Sequence, residues 1–198
     1  MKRVGVEKAR SRLEAAFRSF ELLKVATDFA EFEVCWGALL TALNSAFDIL
    51  RESAKDKNSS FNWMFKLVAE RRQDELLSYI WHARNVNDHG IDYIVEDQPG
   101  GFTIPMPASG ALHIKHLSVE NGKITRFEGH GFGAPVSIFI HPDGIFLKPV
   151  VDRGNEYKPP DYHLGSALAD KSPTGIAGAA LKYFALRLAE AETLTLCS

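Results

Sequence analysis

The apolar residues between positions 29 and 50 form the most restrictive pattern in this chain. They recur three and four residues apart, as Phe29, Phe32, Trp36, Leu39, Leu40, Leu43, Phe47 and Leu50. A stripe of about six turns predicts one long amphipathic helix whose apolar face must be covered by other helices. Asp28 and Glu31 form a capping-box pattern at its start, and the polar run 55–60 marks its end. The chain is therefore expected to build a helical bundle around this segment.

Other stripes predict the helices that cover it. Helical spacing extends from about 6 to 26, from 61 to about 71, and from 73 to about 88, where Gly90 is a typical stop. Ser172-Pro173 predicts the start of a last helix. The apolar stripe of that helix is Ile176, Ala180, Phe184, Leu188 and Ala191.

The texture of the sequence changes at Ile91. From there to about 164, glycine and proline are dense and the apolar residues are β-branched or aromatic, which favours short antiparallel strands. Asn121-Gly122 predicts a tight hairpin that pairs Val119 with Ile124, Lys115 with Glu128 and His113 with His130. A second hairpin is expected around 141–144, and 153–165 reads as irregular loop. The fold class is therefore α+β, with a helical bundle (1–90), a β-rich segment (91–164) and a closing part (165–198) whose helix packs back on the bundle.

Composition excludes several classes of protein. The 198 residues carry 23 Lys+Arg against 25 Asp+Glu, so a broad basic face for non-specific DNA binding is not expected. The two cysteines, Cys35 and Cys197, have neither metal-ligand nor redox spacing. The charged first residues do not resemble a signal peptide, and the longest strongly apolar run, 34–43, is too short to cross a bilayer. A soluble cytoplasmic protein is expected.

The segment 82–90, with sequence HARNVNDHG, places polar residues at the end of the fourth predicted helix. A helical wheel puts Arg84 near the middle of the apolar face and Asp88 beside it one turn later, with Asn85 and His89 in the adjacent row. That apolar face is defined by Leu76, Leu77, Ile80, Trp81 and Ala83. A charge directed into a bundle is costly unless it is paired or meets a ligand. This helix end is therefore expected to meet an acidic partner or to open into a polar cleft.

The second helix offers matching polar residues. Glu33, Asn44 and Arg51 lie along one edge of its apolar stripe. Two helices with polar residues beside their inner stripes predict a shared polar pocket.

The motif Arg-Asn-x-x-x-His, at Arg84, Asn85 and His89, resembles the signature of the HEPN (higher eukaryotes and prokaryotes nucleotide-binding) superfamily. The resemblance covers residues 1–90 and, if the closing helix completes the bundle, 173–198; the β-rich segment departs from the family pattern. It implies a helical bundle that forms a homodimer with its two motifs apposed. It also implies a metal-independent endoribonuclease without a cofactor, of a kind that is often a toxin paired with an antitoxin protein.

Three motif residues suit the chemistry that this resemblance implies. Histidine titrates near neutrality, so His89 is the expected acid or base for RNA cleavage. Arg84 would stabilise charge on the phosphate, because a guanidinium stays protonated and grips phosphate oxygens as a fork. Asn85 would orient the imidazole or bind phosphate. Asp88, Glu33, Asn44 and Arg51 are expected to support them, and RNA or a nucleotide is the expected ligand.

Other interpretations of these residues stay open. Arg84 and Asp88 could form a helix-surface ion pair, with His89 merely preceding the helix stop. The same cleft could serve a non-catalytic module that binds nucleotide, RNA or protein. A metal-dependent enzyme could use His113 and His130, with a third ligand from His141, Asp143 or His163.

Two further groups of residues carry structural expectations. Trp36, Trp63 and Trp81 are expected in the core. Arg71 and Arg72 are expected at a solvated helix end.

Overall fold

The computed structural model describes residues 1–103, 112–120, 123–131, 134–135, 139–141 and 144–196. Its described helices are α1 (Arg3–Val25), α2 (Phe29–Ser53), α3 (Asn58–Gln73), α4 (Glu75–His89) and α5 (Pro173–Leu196), with one 3-10 turn at Ala54–Asp56. The predicted helices are confirmed, although α3 begins three residues earlier than expected. Within the described ranges, no helix is long and apolar enough to cross a membrane.

Short strands separate α4 from α5. They are β1 (Val95–Gln98), β2 (Gly101–Thr103), β3 (His113–Glu120), β4 (Lys123–Gly131), β5 (Ala134–Pro135), β6 (Phe139–His141), β7 (Gly144–Leu147), β8 (Val150–Asp152), β9 (Asn155–Tyr157), β10 (Tyr162–His163) and β11 (Ser166–Ala167). The pairs are β1 with β7, β2 with β6, β8 with β9 and β10 with β11, and β3, β4 and β5 form a three-stranded sheet. An α+β chain with small sheets inserted before the last helix is therefore observed, as expected.

The chain forms two compact units. One contains residues 1–96 and 146–198, and the other contains residues 97–145. The helices, β8–β9 and β10–β11 thus belong to the first unit, which also contains the Arg-Asn-x-x-x-His motif.

The core of the first unit follows the predicted stripes. Asp28 caps α2 by accepting a hydrogen bond from the Glu31 backbone N–H at 2.8 Å, and α1 packs along α2. Ser172 Oγ accepts from the Gly175 N–H at 3.1 Å at the start of α5, which packs against α1. All five predicted stripe residues of α5 are buried. The stripe of α2 is also buried from Phe32 onward, with Trp36, Leu39, Leu40 and Leu43 fully inaccessible to solvent, whereas Phe29 is half-buried.

The prediction of an irregular loop at 153–165 is wrong. Two tight hairpins lie there, with register pairs Asp152 to Asn155 and His163 to Ser166. Their two-residue turns have positive φ at both positions: 52° at Arg153 and 79° at Gly154, then 48° at Leu164 and 77° at Gly165. Such turns match the right-handed twist of the flanking strands. They let β8–β9 and β10–β11 lie against α4.

The β3–β4 hairpin pairs Val119 with Ile124 and His113 with His130, as predicted. The register shifts by one residue between Ser118 and Val119 and shifts back between Ile114 and His116. His116 therefore lies opposite Glu128, and the predicted pairing of Lys115 with Glu128 is wrong. The predicted turn residues 121–122 lie outside the described residues. The second predicted hairpin is also wrong, because β6 pairs with β2 and β7 with β1.

Candidate functional site

Helix α4 carries the motif near its C-terminal end. Its buried residues are Leu76, Leu77, Tyr79, Ile80 and Ala83, so Tyr79 replaces Trp81 in the predicted apolar set. The Tyr79 hydroxyl donates to the Lys148 carbonyl at 2.8 Å, and burial raises the pKa of this phenol. This shift of the buried face by part of a turn moves Arg84 from the middle of the face to its edge.

Arg84 lies on the side of α4 that faces α2, with a third of its side chain exposed. Its Nε atom is 2.9 Å from Asp88 Oδ2, and Thr41 Oγ1 donates to Asp88 Oδ1 at 3.3 Å. The Nε–H nevertheless donates no hydrogen bond to the described residues, although the atom is buried. We call Arg84 and Asp88 the Arg84 face. The ion pair that the structural interpretation expects is present, and a third of the Arg84 side chain stays exposed beside it.

Asn85 projects from another side of α4, toward the β8–β9 hairpin. Its Nδ2 donates to Asp152 Oδ2 at 3.0 Å, and His82 Nδ1 lies 2.7 Å from the same oxygen. These two hydrogen bonds, that of Asn85 first, hold the pKa of the Asp152 carboxyl below its usual value. Asn85 Oδ1 also accepts from Arg84 Nη1 at 3.4 Å. Asp152 and Arg84 are thus connected through Asn85.

His89 is exposed at the end of α4, and its side chain makes no hydrogen bond or ion pair with the residues that the structure describes. Its position on the helix is within about 60° of Asn85 and His82 but about 140° from Arg84. We call His82, Asn85 and His89 the His82 face. In a single chain, the motif histidine and arginine therefore lie on different sides of the helix.

Aromatic rings extend the His82 face into the bundle. The Tyr157 ring stacks on His82 with centroids 3.5 Å apart and planes at 11°. The Trp81 ring also stacks on His82, with centroids 5.7 Å apart. The Arg71 guanidinium lies 3.4 Å from the Trp81 ring centroid and 4.1 Å from that of Phe47. This stacking explains why Arg71 is buried, contrary to the predicted solvated helix end. Burial lowers the pKa of Arg71 to about 10.

The predicted supporting residues do not converge. Asn44 is buried and its Nδ2 donates to the Leu40 carbonyl at 3.0 Å. Arg51 pairs with Asp48 at 3.1 Å, and 18 residues of helix, about 27 Å, separate it from Glu33. Only Asp88 lies beside a predicted catalytic residue.

Glu33 instead lines an open groove of about 660 Å³ between α1 and α2 that reaches the end of α4. Thr41 and Asn87 also line this groove. Asn87 approaches α2 so closely that a Cβ on Gly37 would lie 2.9 Å from its Nδ2, so glycine permits this contact. The groove brings Glu33 near the motif without including Arg84 in its lining.

Of the histidines proposed for the alternative metal site, His113 and His130 lie together, whereas His163 bonds a different residue. The His113 and His130 rings stack with centroids 5.8 Å apart, whereas His163 Nδ1 bonds Asp74 Oδ1 at 2.9 Å. Position 143 lies outside the described residues. Among the described residues, no three His, Cys, Asp or Glu side chains gather in a way that could hold a metal ion. Of the predicted core tryptophans, Trp36 is buried and Trp63 and Trp81 are half-buried.

His82, Asp152 and Tyr157 are the residues that sequence reasoning missed. His82 stands directly before the motif helix turn, at the three-residue spacing from Asn85 that places both on one face. No local signal marks Asp152, because the turn that follows it places arginine, Arg153, at a positive φ where turn rules expect glycine, asparagine or aspartate.

Comparisons of the chain with protein-family models, with curated proteins and with solved structures find no match.

Proposed function

We propose that this protein is a HEPN-like, metal-independent endoribonuclease. The observation that supports this function is the arrangement at the end of α4. There Arg84 is partly exposed and pairs through Nε with Asp88, Asn85 is fixed by Asp152, and His89 is open to solvent. Cleavage of a phosphodiester needs donors that stabilise charge on the phosphate oxygens and a titratable group that can transfer a proton.

The proposed reaction is internal transfer at phosphorus. A base removes the proton of a ribose 2′-hydroxyl while the O2′–P bond forms. The P–O5′ bond breaks, and an acid gives a proton to the leaving O5′. The products are a 2′,3′-cyclic phosphate and a 5′-hydroxyl, and the acid and base recover their protonation states by exchange with solvent. His89 serves as acid/base and Arg84 stabilises the charge on the phosphate oxygens.

A homodimer is part of the proposal. Arg84 and His89 lie on different sides of α4, so a second copy that apposes its motif supplies the missing side. Exposed apolar side chains flank this end of the helix, since Ile91 is fully exposed and Tyr93 and Val34 are also exposed. Burial of these side chains would favour such a dimer.

The test is cleavage of a mixed RNA pool by the purified full chain. His89→Ala is expected to lower the rate 10²- to 10⁴-fold. Arg84→Lys keeps the charge but loses the fork, so it should lose less activity than Arg84→Ala. His116→Ala is the matched control, because this exposed histidine bonds only Ser118 among the described residues. Unchanged cleavage by His89→Ala would remove His89 from the mechanism.

A non-catalytic binding module is the second candidate. The Arg84–Asp88 ion pair and the separation of Arg84 from His89 favour it, because neither observation requires chemistry. It predicts RNA or nucleotide binding that Arg84→Ala weakens, with no 2′,3′-cyclic phosphate ends formed by the wild-type chain. Addition of EDTA distinguishes both from a metal-dependent enzyme, since neither activity should change.

A further inference from the structure

A second imidazole lies on the motif helix, outside the motif. His82 precedes His89 by seven residues, two turns or about 10 Å along α4, and both belong to the His82 face. Asn85 lies between them on the same face. A phosphodiester bound along this face would therefore meet two titratable groups from one chain.

The His82 ring is held in one orientation. Asp152 Oδ2 lies 2.7 Å from Nδ1, and Tyr157 covers one face of the ring at a centroid distance of 3.5 Å. Nε2 has no hydrogen-bond partner among the described residues, and a fifth of the side chain is exposed. A carboxylate that accepts a hydrogen bond from Nδ1–H leaves the lone pair of the neutral ring on Nε2, which is the arrangement of a positioned base.

The Asp152 carboxylate accepts no hydrogen bond from a backbone N–H group of the described residues. Its described hydrogen bonds come from two side chains, those of His82 and Asn85. A carboxylate that served only to dock the hairpin could bond backbone N–H groups, as Asp74 does with those of Leu77 and Leu164. Asp152 instead orients two residues of the His82 face.

We propose, as an inference that rests on the proposed function, that His82 is the general base of the ribonuclease site and that Asp152 is its positioning residue. His82 Nε2 accepts the 2′-hydroxyl proton as the O2′–P bond forms, and His89 gives its proton to O5′ as the P–O5′ bond breaks. Both imidazoles then belong to one protomer, and the second imidazole need not come from a partner.

The decisive variant is His82→Asn. The amide nitrogen of asparagine occupies the place of Nδ1 and retains the hydrogen bond to Asp152, whereas Nε2 is removed. The matched control is His163→Asn, which makes the same change in the other His–Asp pair of α4. We expect His82→Asn to lower the cleavage rate about 100-fold or more and to remove one limb of the pH–rate profile, while His163→Asn stays within about threefold of wild type.

Asp152→Asn supplies the rescue arm. Its side-chain oxygen can still accept from both donors, so we expect it to cleave faster than Asp152→Ala, with the difference in kcat rather than KM. Nitrogen-15 NMR of the wild-type chain in alkaline buffer should show His82 protonated on Nδ1. This measurement needs no activity and holds whether or not a variant folds.

The results separate two failures. If wild-type cleavage depends on His89 but His82→Asn cleaves within threefold of wild type, or if His82 carries its proton on Nε2, this inference is wrong and the proposed function stands. If no His89-dependent cleavage occurs, the proposed function fails and the role of His82 falls with it.

Discussion

Two histidine–aspartate pairs join β-hairpins to α4, and they differ in what else the carboxylate does. At the start of the helix, Asp74 bonds His163 at 2.9 Å and also accepts from the Leu77 N–H at 2.9 Å and the Leu164 N–H at 2.6 Å. Two turns later, Asp152 bonds His82 and one further side chain. The first carboxylate caps the helix and holds the turn of the β10–β11 hairpin, so its hydrogen bonds serve folding. The second carboxylate accepts its described hydrogen bonds from side chains alone, and it fixes those side chains beside the motif.

The pairing of an imidazole with a carboxylate does not by itself identify a functional site. Both pairs are partly buried, with His side chains 16% and 20% exposed. The two pairs differ in the other donors that bond the carboxylate and in the residues that surround the imidazole ring. His163 packs edge-on against Tyr183, whereas His82 shares a helix face with Asn85 and His89.

The largest expected effect comes from Asp74→Ala. The change removes an N-cap and leaves the N–H groups of Leu77 and Leu164 without their acceptor. We expect the free energy of unfolding to fall by about 3 kcal/mol, the sum of a lost cap and an unsatisfied buried donor. Urea unfolding measures it. A loss below about 1 kcal/mol would mean that the two pairs are equivalent in folding.

Asp152→Ala should cost less. His82 and Asn85 are partly exposed, so water can replace the lost acceptor. We expect the free energy of unfolding to fall by about 1 kcal/mol, again by urea unfolding. A fall as large as that of Asp74→Ala would show that Asp152 is mainly a folding residue, which weakens the contrast between the two carboxylates.

The smallest effect is a pH dependence. The pKa of Asp152 is below its ordinary value of 3.8 because Asn85 and His82 bond the ionised form. Its ionised carboxylate therefore stabilises the fold above about that pH, and this contribution is lost as the pH falls through the lower folded-state pKa. The difference in unfolding free energy between wild type and Asp152→Asn should shrink as the pH falls from 5 to 3. A difference that grows between pH 5 and pH 3 would contradict the assigned direction.

Local signals sufficed for the helices. Asp28, Ser172 and Gly90 mark boundaries through hydrogen bonds made within one turn, and helical spacing identifies buried stripes without knowledge of partners. Gly90 marks the end of α4 because a Cβ there would lie 2.6 Å from the Val86 carbonyl oxygen, which only glycine avoids. The motif lies within six consecutive residues of one predicted helix, so its position at the end of α4 could be predicted.

The surroundings of the motif could not be predicted, because they depend on distant contacts. Arg153 and Leu164 adopt positive φ, where turn rules expect glycine, asparagine or aspartate, so neither hairpin was recognised. Without the first hairpin, nothing places Asp152 beside His82. Arg71 is buried for a similar reason, since Phe47 and Trp81 come to it from two other helices.

The chain leaves and re-enters the helical unit at one place, because the Lys148 N–H donates to the Ile94 carbonyl at 3.0 Å. Residues 97–145 thus form a cassette whose ends are already joined by the scaffold. Loop-closure cost rises only logarithmically with length, so such a cassette can be shortened, exchanged or extended at little thermodynamic cost to the bundle. Insertions and deletions within this cassette are therefore expected to leave α4 and its neighbours undisturbed.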